Sequence, residues 1–188
     1  MSELFTRTFS TELEIQTRAK GGDGRTIVGI AVPYGQAKRI NPRLVEQFAR
    51  GAFNRSIKSA RRIPFTRDHL PMGGTLIGRA VELRDDAAGL YGEWRVSNTP
   101  AGEETLELVR DGVLSELSIG FREGQNKTLS GGVVERVSAE LREVAVVMEG
   151  AYGELATVGG VRSDEGEQSR LDRSRQVLAS LPELPSAS

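Results

Sequence analysis

Apolar side chains in much of this chain recur at every second residue, in short runs separated by turn signals such as the glycine clusters at 21–24 and 131–132 and the Pro–Gly turn at 71–74. A period of two belongs to strands with one face buried, so the chain is committed to a β-rich fold. Residues 8–17 alternate, with Phe9, Leu13 and Ile15 in phase with Thr11, and read as one strand. Three glycines between Lys20 and Arg25 make a turn into a second strand, Thr26–Tyr34. Gly35–Pro42 reads as loop. Residues 43–60 break the pattern: Leu44, Val45, Phe48, Ala52, Phe53 and Ile57 are three and four apart, which predicts a helix, weakened or divided at Gly51. Ile63–His69 is a short strand closed by the turn Pro71–Gly74. Thr75–Leu83 and Leu90–Val96 form a hairpin around residues 85–89. Thr99 as N-cap, Pro100 in the first turn and Gly112 as stop bound a clear helix. Leu117–Arg122 alternates again, Gly131-Gly132 joins Lys127–Leu129 to Val133–Val137, and Glu140–Met148 reads as a buried central strand. Seven or eight strands and two main helices imply a mixed α/β, β-rich fold: a curved sheet or β-barrel of about seven strands with peripheral helices.

Composition narrows what such a fold can do. There is no Cys and a single His among 188 residues, which excludes disulfide scaffolds, thiolate metal sites and multi-imidazole sites. No metal and no organic cofactor is expected. A formal charge of −1 supplies no global attraction to nucleic acid or an anionic membrane. No apolar run reaches the length of a membrane span, and the first residues lack the apolar centre of a signal peptide, so a cytosolic location is expected. After Ser163 the composition turns polar and aromatic-free, which divides the chain into a domain over 1–162 and a polar tail over 163–188, either flexible or weakly helical around Leu171–Leu181.

Three residues stand out as chemistry. His69, the only imidazole, ends a strand beside Asp68 and before a Pro-Gly-Gly turn, where loops present functional side chains. A lone His is more often a surface or satisfied core residue. Ser118 lies between Leu117 and Ile119; if those turn inward, Ser118 projects to the other face, where Gly120 leaves room for a substrate backbone. A small polar residue on an exposed strand face is the plainer account. Glu143 is in phase with Leu141, Ala145 and Val147, and a carboxylate among apolar neighbours needs a partner, either Arg79, Arg95 or Arg122, or His69. A serine hydroxyl, an imidazole that takes its proton and a carboxylate that orients the imidazole can together perform acyl transfer. With one His available, any Ser–His chemistry runs through His69.

The chain resembles the prohead (capsid maturation) serine proteases of tailed phages, a family related in fold to the herpesvirus assemblin proteases. The resemblance rests on Gly51-Ala52-Phe53-Asn54-Arg55-Ser56-Ile57, Asp68-His69 followed by Ile77-Gly78-Arg79, Gly89-Leu90-Tyr91, Thr99-Pro100-Ala101-Gly102, Leu117-Ser118-Ile119-Gly120-Phe121 and Glu143-Val144-Ala145-Val146-Val147, in the family's order across roughly residues 26–155. It implies His69 as general base, Ser118 as nucleophile and Glu143 as third member, on the strand where the herpesvirus enzymes carry a second His, with Glu140 in reserve. It implies a serine endopeptidase acting on the major capsid protein and scaffold segments inside the immature shell in the host cytoplasm, and on itself, with trimming in 163–188 and a possible homo-oligomer. The sequence departs from the family where an Asp and a Pro precede the GAF stretch, and where a Pro follows the last strand.

Two readings compete: a catalytically silent, scaffold-like capsid-assembly module on the same fold, and a small-molecule esterase or amidase, against which the missing G-x-S-x-G elbow counts. A further feature is the run Arg50, Arg55, Lys58, Arg61, Arg62 and Arg67, which contains no acid. It is either a solvated face or a patch that meets an acidic protein; without interleaved aromatics it is not built for base stacking.

Overall fold

The computed structural model describes residues 3–10, 13–16 and 22–148. The tail expected over 163–188 lies outside these residues. Among the described residues there are twelve strands, more than the seven or eight expected, and they form two sheets rather than one.

The larger sheet contains β1 (Phe5–Ser10), β2 (Glu14–Gln16), β3 (Thr26–Pro33), β6 (Pro64–Arg67), β7 (Thr75–Asp85), β8 (Gly89–Val96), β9 (Leu114–Glu123) and β12 (Ala139–Met148). Its order is β1-β9-β12-β6-β7-β8-β3-β2. Every pairing is antiparallel except β12 with β6. The sheet curls, so that β3 comes against both β1 and β9. The smaller sheet, in the order β10-β11-β5-β4, is made of β4 (Lys38–Asn41), β5 (Leu44–Phe48), β10 (Asn126–Thr128) and β11 (Val134–Arg136). Two α-helices, α1 (Asn54–Ile57) and α2 (Pro100–Arg110), and short 3-10 turns, the first of them Ala60–Arg62, complete the described fold.

The concave side is filled by aromatic rings. Phe65 stacks on Trp94 at 5.6 Å, and Phe48 meets Phe53 at 5.3 Å and Phe121 at 5.2 Å, all of them essentially without solvent contact. Burial of each such side chain stabilises the fold by roughly 1.5–3 kcal/mol, so this cluster fixes which face of β6, β8 and β9 turns inward. α2 follows its sequence signals. Thr99 Oγ1 accepts the Gly102 N–H at 3.1 Å, Pro100 opens the first turn, Leu106 is fully buried, and Gly112 at φ +73° lets the chain leave.

Three expectations are corrected. The helix over 43–60 is instead strand β5, a turn and the single turn of α1. An acid at an inward strand position hid the alternation: Glu46 is 2% exposed, held between Arg7 and Arg136, and the apolar residues that remained imitated helical spacing. Part of the expected loop over 35–42 is β4, an exposed strand at the edge of the smaller sheet with no apolar face to announce it. The single strand over 8–17 is two strands, and they form opposite edges of the larger sheet.

Candidate active site

The site is built on the outer face of β9 and β12, opposite the aromatic core. On β9, Leu117, Ile119 and Phe121 enter the core, so Ser118 and Gly120 turn outward, as the alternation predicts. On β12 the alternation is interrupted by a bulge. The pairing runs Leu141 with Phe121, then Glu143 with Gly120 and Ala145 with Ser118. The extra residue, Arg142, sends Leu141 to the core face with Val144 and Val146 and leaves Glu143 outside with Ala145. The expected phase of Glu143 with Leu141 is therefore wrong, and the bulge is what re-aims the carboxylate.

His69 arrives from the end of β6, which lies parallel to β12. The loop that carries it is tightly specified. The Asp68 N–H donates to the Val146 carbonyl at 3.2 Å, and Asp68 takes a left-handed conformation at φ +57°, tolerated by Asp better than by most residues. The His69 carbonyl accepts the N–H groups of Met72 at 2.8 Å and Gly74 at 3.0 Å. A Cβ on Gly74 would lie 2.3 Å from the Asp68 carbonyl oxygen, so only glycine closes this turn.

These elements bring His69, Ser118 and Glu143 together. His69 Nδ1 lies 2.6 Å from Glu143 Oε1, and His69 Nε2 lies 2.6 Å from Ser118 Oγ. All three residues are buried: Ser118 is 0%, Glu143 4% and His69 6% exposed. The Leu70 N–H reaches the other Glu143 oxygen at a long 3.5 Å. The arginines considered as partners of Glu143 make no hydrogen bond to it; Arg95 pairs with Asp23. Glu140 stays on the surface, paired with Arg142 at 2.7 Å, and is not part of the cluster.

Gly120 has a different use from the one expected. A Cβ there would sit 2.7 Å from Glu143 Cγ and 3.0 Å from its Oε1. The space above Gly120 is occupied by the Glu143 side chain on its way to His69, not left open for a substrate backbone. Thr8 was missed by the sequence reading. It stands directly across from Ser118 in the β1–β9 register, with its hydroxyl 2.9 Å from Ser118 Oγ. The alternation Phe5-Thr6-Arg7-Thr8-Phe9 marks a polar face for Thr8, but nothing in the sequence names the strand beside it.

The sequence matches the model of the caudovirus prohead serine proteases over residues 11–168. The chain belongs to that family. It is a protease of bacteriophage capsid maturation. Among solved structures, this prohead protease is similar to the capsid assembly protease of bacteriophage T4, with a TM-score of 0.54 and 14% identity over 77% of this chain and 97% of that one. At that identity the likeness concerns the fold. No curated protein matches the sequence. Among the described residues of the prohead protease, no helix is long and apolar enough to cross a membrane.

The basic run divides into two parts in the structure. Arg50 is paired with Asp85 at 3.0 Å and Arg67 with Glu104 at 2.9 Å. Arg55, Lys58, Arg61 and Arg62 are exposed on α1 and the 3-10 turn after it.

Proposed function

We propose that this prohead protease is a serine endopeptidase in which Ser118 is the nucleophile, His69 the general base and acid, and Glu143 the residue that orients and charges-compensates the imidazole. One observation carries the reading: the only imidazole of the chain has a carboxylate on one ring nitrogen and a hydroxyl on the other, each at 2.6 Å. Glu143 holds the proton on Nδ1, which leaves Nε2 as the acceptor for the Ser118 proton. As Ser118 Oγ forms a bond to the scissile carbonyl carbon, its proton passes to Nε2. The imidazolium then protonates the departing amine as the C–N bond breaks. Water repeats the sequence in reverse roles: it loses a proton to Nε2, attacks the ester carbon, and Ser118 Oγ recovers the proton.

The substrates in this reading are segments of the major capsid protein and scaffold inside the prohead, and residues 163–188 of the chain itself. The exposed cations Arg55, Lys58, Arg61 and Arg62 suit acidic stretches of such polypeptides, since no acid falls between Glu46 and Asp68 to neutralise them locally. A fluorophosphonate probe tests the catalytic roles. Ser118 is expected to be the labelled residue, and labelling is expected to disappear in His69→Ala. Labelling elsewhere would overturn the assignment of Ser118, and none at all in an otherwise folded protein would favour a silent assembly module.

A further inference from the structure

Ser118 Oγ has two hydrogen-bond partners but only one proton to share between them. His69 Nε2 lies 2.6 Å away and Thr8 Oγ1 2.9 Å away. The direction of each bond follows from the far end of the chain of contacts. Glu143 Oε1 faces Nδ1 at 2.6 Å, and a carboxylate only accepts, so Nδ1 carries the proton. The neutral ring then has a bare Nε2, which requires the proton of Ser118. Once that proton is directed at Nε2, Ser118 Oγ has only lone pairs to offer Thr8. Thr8 must therefore be the donor.

We infer that Thr8 is a fourth member of the site, a positioning residue whose hydroxyl holds Ser118 Oγ in its attacking rotamer and strengthens its hydrogen bond as charge develops there. The inference rests on the reading of Ser118 as nucleophile. When the Ser118 proton moves to Nε2, the oxygen it leaves becomes anionic in part. The bond from Thr8 then becomes charge-assisted, stronger than it was in the resting state. An interaction that tightens on the way to the transition state accelerates the step, whereas one of constant strength does not. In the acyl-enzyme the same oxygen is an ester oxygen and a weak acceptor, so Thr8 does not hold the intermediate back.

The position of Thr8 is well fixed. Its register partner in β9 is Ser118, and register partners in an antiparallel pair present their side chains to the same face. Phe9, next to it, is buried in the core, and Arg7 on its other side pairs with the buried Glu46. The Thr8 carbonyl accepts Lys38 Nζ at 2.7 Å. β1 is thus anchored on both sides of the hydroxyl, which gives Thr8 a defined aim at the nucleophile.

The test compares Thr8→Val, which keeps the shape and removes the hydroxyl, with Thr8→Ser, which keeps the hydroxyl. The readout is the inactivation rate constant and apparent affinity of a fluorophosphonate probe on the full chain, beside the melting temperature and a Ser118→Ala control. Thr8→Val is expected to lower the rate constant about ten- to a hundredfold, the worth of a hydrogen bond to a charged group, with probe affinity and melting temperature unchanged. Thr8→Ser is expected to stay within about threefold of the parent, because the donor that counts is retained. A Val variant that reacts like the parent overturns the inference. So do Val and Ser variants that are equally slow, since packing rather than the hydroxyl would then be responsible. If Ser118→Ala is labelled as heavily as the parent, the nucleophile assignment itself falls; if it is unlabelled while Thr8→Val reacts normally, only the role of Thr8 does.

Discussion

Two buried polar clusters lie on either side of β1, and they are built on opposite principles. On the core side, Glu46 receives Arg7 and Arg136 together, and Arg136 also reaches Glu123. On the outer side, Thr8, Ser118, His69 and Glu143 form a single file of hydrogen bonds. The first cluster sets permanent cations against permanent anions, so no proton has anywhere to go. The second contains one imidazole between an acceptor and a hydroxyl, so a proton can change owner without any side chain leaving its place. Burial of charge alone does not mark a functional site; a titratable group with a partner at each end does.

The contrast is most exposed to failure at His69. His69→Ala is expected to reduce peptide cleavage by about four orders of magnitude or more in a protein that still unfolds cooperatively, checked by kcat and calorimetry on one preparation. Glu46→Ala is expected to do the reverse. It leaves Arg7 and Arg136 buried with less compensation and should cost about 3–5 kcal/mol in a urea titration, with the folded fraction far more reactive toward the probe than His69→Ala. A folded and fully reactive Glu46→Ala of normal stability would show that the ionic cluster is not structural. Gly120→Ala probes the outer cluster through geometry alone. The added methyl displaces Glu143, so activity should drop about a hundredfold, with the loss in kcat rather than KM.

The smallest expected effect concerns Asp85, an ordinary surface clasp outside both clusters. Burial pushes its carboxyl up, but the Arg50 guanidinium and the Gly51 N–H outweigh this and hold it below the usual carboxylate range. A lowered folded value means the contribution is complete above the ordinary carboxylate range and is lost as pH falls through the lower value. Asp85→Asn should therefore cost about 1 kcal/mol or less at pH 7, with the difference from the parent closing in acid, as followed by thermal unfolding across pH.

What the sequence made legible was whatever depends on period and on local turn chemistry. The β7–β8 hairpin, α2 with its Thr99 cap, and the central strand β12 were all readable, because each is specified by residues near one another. The same holds for His69 at a strand end and for Ser118 on the face opposite Leu117 and Ile119. What escaped was set by partners far away in the chain. β5 was hidden because Glu46 takes an inward position only when Arg7 and Arg136 arrive to meet it, 39 and 90 residues distant. The bulge at Arg142 and the use of Gly120 depend on the β9–β12 register, and Thr8 depends on a pairing 110 residues long. Alternation tells which way a side chain turns, and register alone tells what it meets.

The N-terminal strands carry one more consequence. β1 and β2 form the two outermost strands of an eight-stranded sheet, yet only residues 11–13 separate them in sequence. Four residue steps span at most about 14 Å, so the margins of the sheet are tethered almost edge to edge. The chain is thereby stitched into a hoop near its beginning: the wall that carries Ser118 cannot flatten or unroll while that stitch is intact, and curvature becomes a matter of covalent length as much as of packing.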